Sequence, residues 1–243
     1  MNAAQYARLR SSKILVKTIK DTMQFAKAIK LLKVMTAMTM LPLQGPVVIV
    51  IYLKKQMIRL RESLFPVSMD ESTFISSELY EFLLSSLPNI VKGCQWTLLY
   101  STLKHGISLH TLIRKSAAVS GPCLLITGDR QGAVFGGLLE CPLKPTAKRK
   151  YQGTNQSFVF TTIYGEPRIF RPTGANRYYF LCLNDILALG GGGNFALCLD
   201  GDLLNGTSGP CQTFGNLCLA HNPEFELKNV EVWGFTHASK YLT

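Results

Sequence analysis

Short apolar segments separated by turns dominate the chain from about residue 70 onward. The strand-like segments are QWTLLYST, CLLITG, AVFGGLLE, SFVFTTI, RIFRPT, YYFLCL, NFALCLD and VEVWGF, with Gly, Pro or Asn between most of them. The turn GDRQG at residues 128–132 joins two of these segments as a hairpin. Because long helices between the strands are missing, the pattern predicts an α+β fold of two antiparallel β-sheets packed as a sandwich with flanking helices.

Two stretches of this region carry helical spacing instead. In SMDESTFISSELYEFLLSSLP the apolar residues follow the helical period up to Pro88, and the candidate N-caps are Ser68, Asp70 and Ser72. In HGISLHTLIRKSA the spacing predicts a second helix that Gly121-Pro122 ends. We expect both helices to lie beside the sheets.

The first thirty residues form a different, basic pattern. Basic side chains recur three, four or seven positions apart beside a parallel apolar row, the basic ones being Arg10, Lys13, Lys17, Lys20 and Lys27. The spacing predicts a basic amphipathic helix, which suits an anionic membrane surface or a partner groove. An almost acid-free amphipathic start is also typical of an organelle transit peptide. An ordinary surface helix is the third interpretation.

Residues 34–53 are uncharged and long enough to cross a bilayer. However, Pro42 and Pro46 interrupt the middle and would leave backbone groups unpaired in lipid. A membrane-lying or partly buried hairpin is therefore favoured over a span. We expect a targeting or membrane-associated leader at residues 1–61 with membrane contact through residues 9–53, and one folded domain at residues 62–243. The predicted location is cytoplasmic and membrane-associated, with the mitochondrion or plastid as the alternative.

All of the net charge belongs to that leader. The chain carries 26 Lys+Arg and 15 Asp+Glu, a formal charge of +11, and residues 1–61 hold 12 of the basic residues against one acid, Asp21. The body is therefore neutral. A nucleic-acid-binding domain spreads Lys and Arg over its folded part, so we predict no nucleic-acid partner. The dense run at residues 148–150 is interpreted as a solvated loop.

The motifs that could carry cofactor or metal chemistry fail on their spacing. Residues 190–193 are four glycines, but an apolar strand follows them where a phosphate-binding loop needs a helix, so we interpret them as positions of positive φ or close approach. Asp200 and Asp202 begin a calcium-loop pattern, but Leu204 and Cys211 occupy later ligand positions. The four histidines lack zinc-site spacing. We predict no cofactor, no metal and no catalytic site.

Two enzymatic alternatives stay open at this point. Ser101, His105 and Asp129 are the nearest approach to a nucleophilic triad, although no GxSxG motif surrounds the serine. The seven cysteines show no CxxC spacing and fit reduced cytosolic thiols. Cys211 or Cys218 could still act as a peroxide scavenger, without a neighbour that would lower a thiol pKa.

Seven blocks of this sequence, in order, resemble the TLDc domains of the oxidation-resistance proteins. The blocks are QWTLLYSTLKHGISLHTL, GPCLLITGDRQGAVFG, YQGTNQSFVF, TGANRYYF, GGGGNFALCLD, GTSGPCQTF and VEVWGF. The sequence GGGGNFALCLDGDLLNGTSGPC is most similar to the plant versions of the TLDc domain. The resemblance implies a β-sandwich edged by helices and protection against oxidative stress. It also implies binding and regulation of the vacuolar-type proton ATPase, without an established catalytic mechanism.

Carried over by position, the family pattern falls mostly on glycines, aromatics and small apolar residues, which we interpret as determinants of the fold. The polar residues of the pattern are the candidates for a partner surface: Ser101, His105, Asp129, Asp200 and Glu231. The sequence therefore predicts a non-enzymatic interaction domain in oxidative-stress protection.

Overall fold

The computed structural model describes residues 72–236. The predicted basic helix, the apolar segment and the first two N-cap candidates lie outside these residues. The helices are α1 (Ser77–Ser86), α2 (Thr102–His105) and α3 (Leu109–Ser116). The strands are β1 (Gln95–Ser101), β2 (Gly121–Asp129), β3 (Val134–Cys141), β4 (Tyr151–Gln152), β5 (Phe158–Thr161), β6 (Arg168–Phe170), β7 (Phe180–Cys182), β8 (Ile186–Leu189), β9 (Leu197–Asp200), β10 (Asn205–Thr207) and β11 (Glu224–Thr236). Among the helices of residues 72–236, none combines the length and the apolar character that a membrane crossing needs.

The strands pair antiparallel throughout, as the alternating pattern predicted. Hydrogen bonds connect them in the order β4-β7-β8-β9-β10-β11-β2-β3-β5-β6, and β1 pairs with β11. The 13-residue strand β11 lies in the middle of this order, between β10 and β2. Its first three residues pair with β10, while the remainder pairs with β2 and β1. The register against β2 shifts between Leu227 and Asn229, which is the signature of a β-bulge.

The core lies on both faces of the strands around β11 because side chains of a strand alternate between faces. On one face, α1 contributes Leu79 and Leu83 to a cluster with Trp96 and Trp233. On the other face, side chains of β2, β3 and β5 share a second cluster with side chains of β7, β8 and β9. The two tryptophans have ring centroids 6.5 Å apart, and both are buried.

The first helix begins later than its N-cap candidates predicted. The cap is Ser76, whose side chain accepts a hydrogen bond from Leu79 N at 3.2 Å, and α1 ends before Pro88 as expected. Ser72 instead donates its hydroxyl to Glu231. The prediction of Ser72 as the cap was wrong because its hydroxyl accepts from Phe74 N and Ile75 N in a turn that precedes the helix, which starts only at Ser77.

The second predicted helix is two helices. Gly106 ends α2 with φ +82°, a conformation that a continuing helix cannot adopt. Ser108 then caps α3 by accepting from Thr111 N at 3.3 Å. The spacing had also missed the short strands β4, β8 and β10 and the first half of β11.

Candidate functional site

Glu231 lies at the centre of a buried hydrogen-bond network. Its carboxylate accepts hydrogen bonds from Ser72 Oγ (2.7 Å), Thr73 N (2.8 Å), Thr73 Oγ1 (3.0 Å) and Trp233 Nε1 (3.0 Å). The Asn229 amide donates a fifth hydrogen bond at 3.2 Å. A carboxylate with no exposed surface needs such donors because it has lost its hydration. Glu231 therefore holds the segment before α1 against the sheet.

Asn229 extends this network to β1 and α2. It lies at the bulge of β11, and its Oδ1 accepts from Val230 N at 2.9 Å, from Ser101 Oγ at 3.4 Å and from Thr102 Oγ1. Its Nδ2 donates to Thr73 Oγ1 at 2.7 Å. The Ser101 hydroxyl is thus directed into the protein, where the side chain is buried.

His105 ends α2 as a half-buried side chain. Its Nδ1 accepts a hydrogen bond from Ser101 N at 3.1 Å, and its ring stacks on Tyr100 with centroids 5.8 Å apart. Burial and the charges of Lys115 and Lys104 lower the pKa of His105. The lowered pKa favours the neutral imidazole, the form in which Nδ1 can accept the amide hydrogen bond of Ser101.

Ser101, His105 and Asp129 do not make the contacts of a nucleophilic relay. Such a relay needs a serine hydroxyl bonded to an imidazole that a carboxylate orients. Ser101 Oγ donates to Asn229, and His105 accepts the backbone amide of Ser101 rather than its hydroxyl. Asp129 Oδ1 accepts from Ala133 N at 2.8 Å in the turn between β2 and β3. Each of the three residues has a separate local role.

Two of the predicted polar residues, Asp129 and Asp200, line one open groove of about 620 Å³. We call it the acidic groove, and its lining residues are 129–131, Asp200, 205–207 and 224–226. They come from the β2–β3 turn, the end of β9, strand β10 and the start of β11. The backbone amide of Arg130 donates to Glu226 O at 3.1 Å. This hydrogen bond fixes the β2–β3 turn beside β11.

Asp129 is the buried member of this groove. It is 1% exposed, and its second carboxylate oxygen, Oδ2, has no hydrogen-bond partner. The imidazole Nδ1 of His221 lies 4.0 Å from this oxygen, on a side chain that is 47% exposed. Arg130 Nε is paired with Glu226 at 3.1 Å. One buried oxygen therefore lacks a donor beside the acidic groove.

Asp200 and Asp202 lie in a tight turn between β9 and β10. Leu203 N donates to Asp200 O at 3.0 Å, and Leu204 N donates to Asp202 Oδ1 at 2.9 Å. Partial burial and the neighbouring Asp202 raise the pKa of the Asp200 carboxyl. Across residues 72–236, no group of three or more His, Cys, Asp or Glu is arranged to hold a metal ion.

The glycine run at 190–193 allows a backbone conformation with positive φ and close contacts with neighbouring elements, as its sequence context predicted. Gly190 has φ +80°, and a Cβ there would lie 2.6 Å from Cys211 Sγ. A Cβ on Gly191 would lie 2.9 Å from the hydroxyl of Tyr151. The amide of Gly191 donates to Thr213 Oγ1 at 2.9 Å. These glycines therefore let neighbouring elements approach closely.

The thiols of residues 72–236 are mostly enclosed. Six cysteines are buried and Cys218 is half-buried. Burial raises the pKa of the Cys182 and Cys198 thiols to about 11. Cys211 Sγ donates to Asn216 Oδ1 at 3.1 Å, and Cys218 Sγ donates to Ser208 O at 3.4 Å. The thiolate, which is the reactive form, is disfavoured at Cys182 and Cys198.

The predicted surface candidates separate into two groups. Ser101, Asp129 and Glu231 are each at most 2% exposed, so they present little of their polar groups directly to a partner. His105 is half-buried and Asp200 is exposed. Local spacing did not identify Glu224 and Glu226 of the acidic groove. The alternation Glu-Phe-Glu-Leu at 224–227 was the available signal, since it places both glutamates on one outward face.

Comparison with known families assigns the fold to one of them. Residues 68–236 match the family model described as the TLDc domain. The chain belongs to the TLDc family. It is 41% identical over 175 residues to Oxidation resistance protein 1 of Homo sapiens, across 72% of this chain and 20% of that protein. It is 38% identical over 177 residues to Nuclear receptor coactivator 7 of Homo sapiens, across 72% and 18%. This TLDc protein thus spans about a fifth of the length of these relatives.

Proposed function

We propose that this TLDc protein is a non-catalytic interaction module in oxidative-stress protection, which binds and regulates the vacuolar-type proton ATPase. The observation that carries the proposal is the match over residues 68–236 together with relatives named Oxidation resistance protein 1. The ATPase is proposed as the partner because the sequence blocks resemble those of the TLDc family. The domain corresponds to about a fifth of the length of that relative, and we propose that this domain is the unit that interacts.

The positions of the polar side chains support a non-catalytic role. Glu231, Asn229 and Ser101 are engaged in structural hydrogen bonds, and His105 accepts a backbone amide. Catalysis by these groups would need them to face a substrate at hydrogen-bond distance. The proposal therefore assigns them to the fold and assigns function to the surface.

Binding to purified vacuolar-type ATPase tests the proposal directly. The full chain, immobilised by an affinity tag, should retain the ATPase and change its rate of ATP-driven proton pumping. Expression of the chain should also raise the survival of peroxide-treated cells. An absence of both ATPase binding and peroxide protection, with the chain shown to be folded by circular dichroism, would overturn the proposal.

Two labelling experiments separate this function from its enzymatic alternatives. A fluorophosphonate probe should leave Ser101 unmodified, whereas a hydrolase would be labelled and would lose both labelling and turnover in Ser101→Ala. A Cys211→Ser/Cys218→Ser variant should protect cells as well as the wild type does. Loss of protection in that variant would favour peroxide scavenging.

We further propose that the strands form two sheets packed face to face, as the TLDc resemblance implies. The core shared by strands β2, β3 and β5 with strands β7, β8 and β9 supports this arrangement.

The leader at 1–61 is proposed to direct the domain at 62–243 to a membrane surface in the cytoplasm, with an organelle as the alternative. A reporter fused to the leader should then sediment with membranes, and a diffuse signal would contradict it. Similarity to the plant versions stays a prediction.

A further inference from the structure

The acidic groove carries an excess of negative charge. Its lining includes the carboxylates of Asp129, Asp200, Glu224 and Glu226 and one cationic side chain, Arg130. Arg130 is engaged with Glu226, and both side chains are more than half exposed, so this pair adds little to stability. Because like charges gathered on one surface repel each other, the groove favours a cationic ligand over an anionic one.

The buried oxygen of Asp129 supplies the second observation. A carboxylate oxygen removed from water without a donor is unfavourable, and native proteins rarely leave one. Asp129 Oδ1 is satisfied by Ala133 N, whereas Oδ2 has no hydrogen-bond partner. His221 Nδ1 at 4.0 Å is too distant for a hydrogen bond. A hydrogen-bond donor of a ligand that displaces the exposed His221 ring would satisfy Oδ2 of this carboxylate.

The shape and chemistry of the groove select the kind of cation. No cluster of three metal-binding side chains occurs in residues 72–236, which disfavours a bare metal ion. Phe225 adds an apolar wall, against which the methylene groups of a long side chain can pack. A volume of about 620 Å³ holds several side chains. The planar guanidinium of arginine also matches a carboxylate with two parallel hydrogen bonds.

We propose that the acidic groove docks an arginine-bearing polypeptide segment. One guanidinium of the segment pairs with Asp129, and neighbouring cationic side chains of the segment pair with Asp200, Glu224 and Glu226. The proposal rests on the interaction role given above only in that a protein is the ligand. Peptide binding is measured without the ATPase, so the two proposals fail separately.

Binding of a fluorescein-labelled hexa-arginine peptide to the full chain tests the groove. Fluorescence anisotropy at moderate salt should give at least tenfold weaker binding for Asp129→Asn than for the wild type, about 1.4 kcal/mol. Glu166→Gln is the matched control, because it removes the same charge at an exposed position of the β5–β6 turn outside the groove. The control should bind within twofold of the wild type.

Several outcomes would overturn the proposal. They are Asp129→Asn binding within twofold of the wild type, Glu166→Gln weakening binding as much as Asp129→Asn, and calorimetric binding of Mg²⁺ or Ca²⁺ alone that Asp129→Asn abolishes. Should Asp129→Asn fail to fold, the double variant Asp200→Asn/Glu224→Gln decides, since both residues are exposed. We expect it to weaken peptide binding at least fivefold, and unchanged affinity would again refute the groove as a docking site.

Discussion

Replacing Glu231 with glutamine should lower the free energy of unfolding of the domain by more than the removal of one charge suggests. Glutamine keeps the shape of glutamate but replaces one acceptor oxygen with an NH₂ donor. In the wild type, one carboxylate oxygen accepts from Thr73 N and the other accepts from Trp233 Nε1. Both partners can only donate. Either orientation of the new amide therefore places two donors against each other inside the protein.

The magnitude follows from the contacts that are lost. A hydrogen bond to a charged group contributes roughly 1.5–3 kcal/mol, and a buried donor left without an acceptor costs about 1–3 kcal/mol. Because Ser72 and Thr73 hydroxyls can rotate to accept from the amide, part of the loss is recovered. We expect Glu231→Gln to lower the free energy of unfolding by about 3 kcal/mol, which corresponds to a fall in Tm of roughly 6–12 °C for a domain of this size.

Denaturant unfolding of the full chain, followed by tryptophan fluorescence, measures this change. Glu224→Gln is the matched control, because Glu224 is an exposed residue of the same strand and its loss should stay within about 0.5 kcal/mol. Hydrogen exchange gives a second readout, since faster exchange at Thr73 should accompany the loss. A Glu231→Gln protein within 0.5 kcal/mol of the wild type would refute the reasoning.

Three further predictions test the glycine run, the thiols and the histidine. Gly190→Ala should lower the free energy of unfolding by about 2 kcal/mol more than Gly174→Ala, because both have positive φ but only Gly190 lies against Cys211; equal losses in denaturant titrations would contradict this. N-ethylmaleimide should modify Cys218 before the buried cysteines of residues 72–236, and peptide mapping that finds Cys211 modified first would count against the described burial. Stability of the wild type should fall as pH drops below 6.5, since burial and nearby lysines lower the pKa of folded His105; His105→Gln should flatten that fall in pH-dependent unfolding, and an unchanged slope would exclude His105 as its source.

The elements found from sequence were those whose patterns are local. The hairpin around residues 128–132 formed as expected because apolar strands flank a glycine-bounded turn. The glycine run behaved as predicted because its context already excluded a helix. Strands β4 and β10 have only two and three residues, too few to show a period. Strand β4 also pairs with β7, which lies far along the chain and is not encoded by local spacing, whereas β10 pairs with the nearby β9 as well as with β11.

The candidate site shows the same division. Ser101 and Glu231 were singled out as polar positions of the family pattern, and the structure places both inside, around Asn229. Asn229, which contacts both, lies at the register shift of β11, and a bulge of one extra residue leaves little trace in sequence. The acidic groove depends on the contact of Arg130 N with Glu226 O, two residues from distant parts of the chain. No local pattern could have joined them.

This separation makes the two kinds of acidic residue experimentally distinct. Glu231 is buried and its donors hold the start of the domain, so its substitution changes stability first and any binding only as a consequence. Glu224 and Glu226 are exposed on β11 while Phe225 between them is buried, so substituting them leaves the core intact. A loss of partner binding in the Glu224 and Glu226 variants at unchanged Tm therefore reports the surface itself. The same loss in a Glu231 variant reports only unfolding.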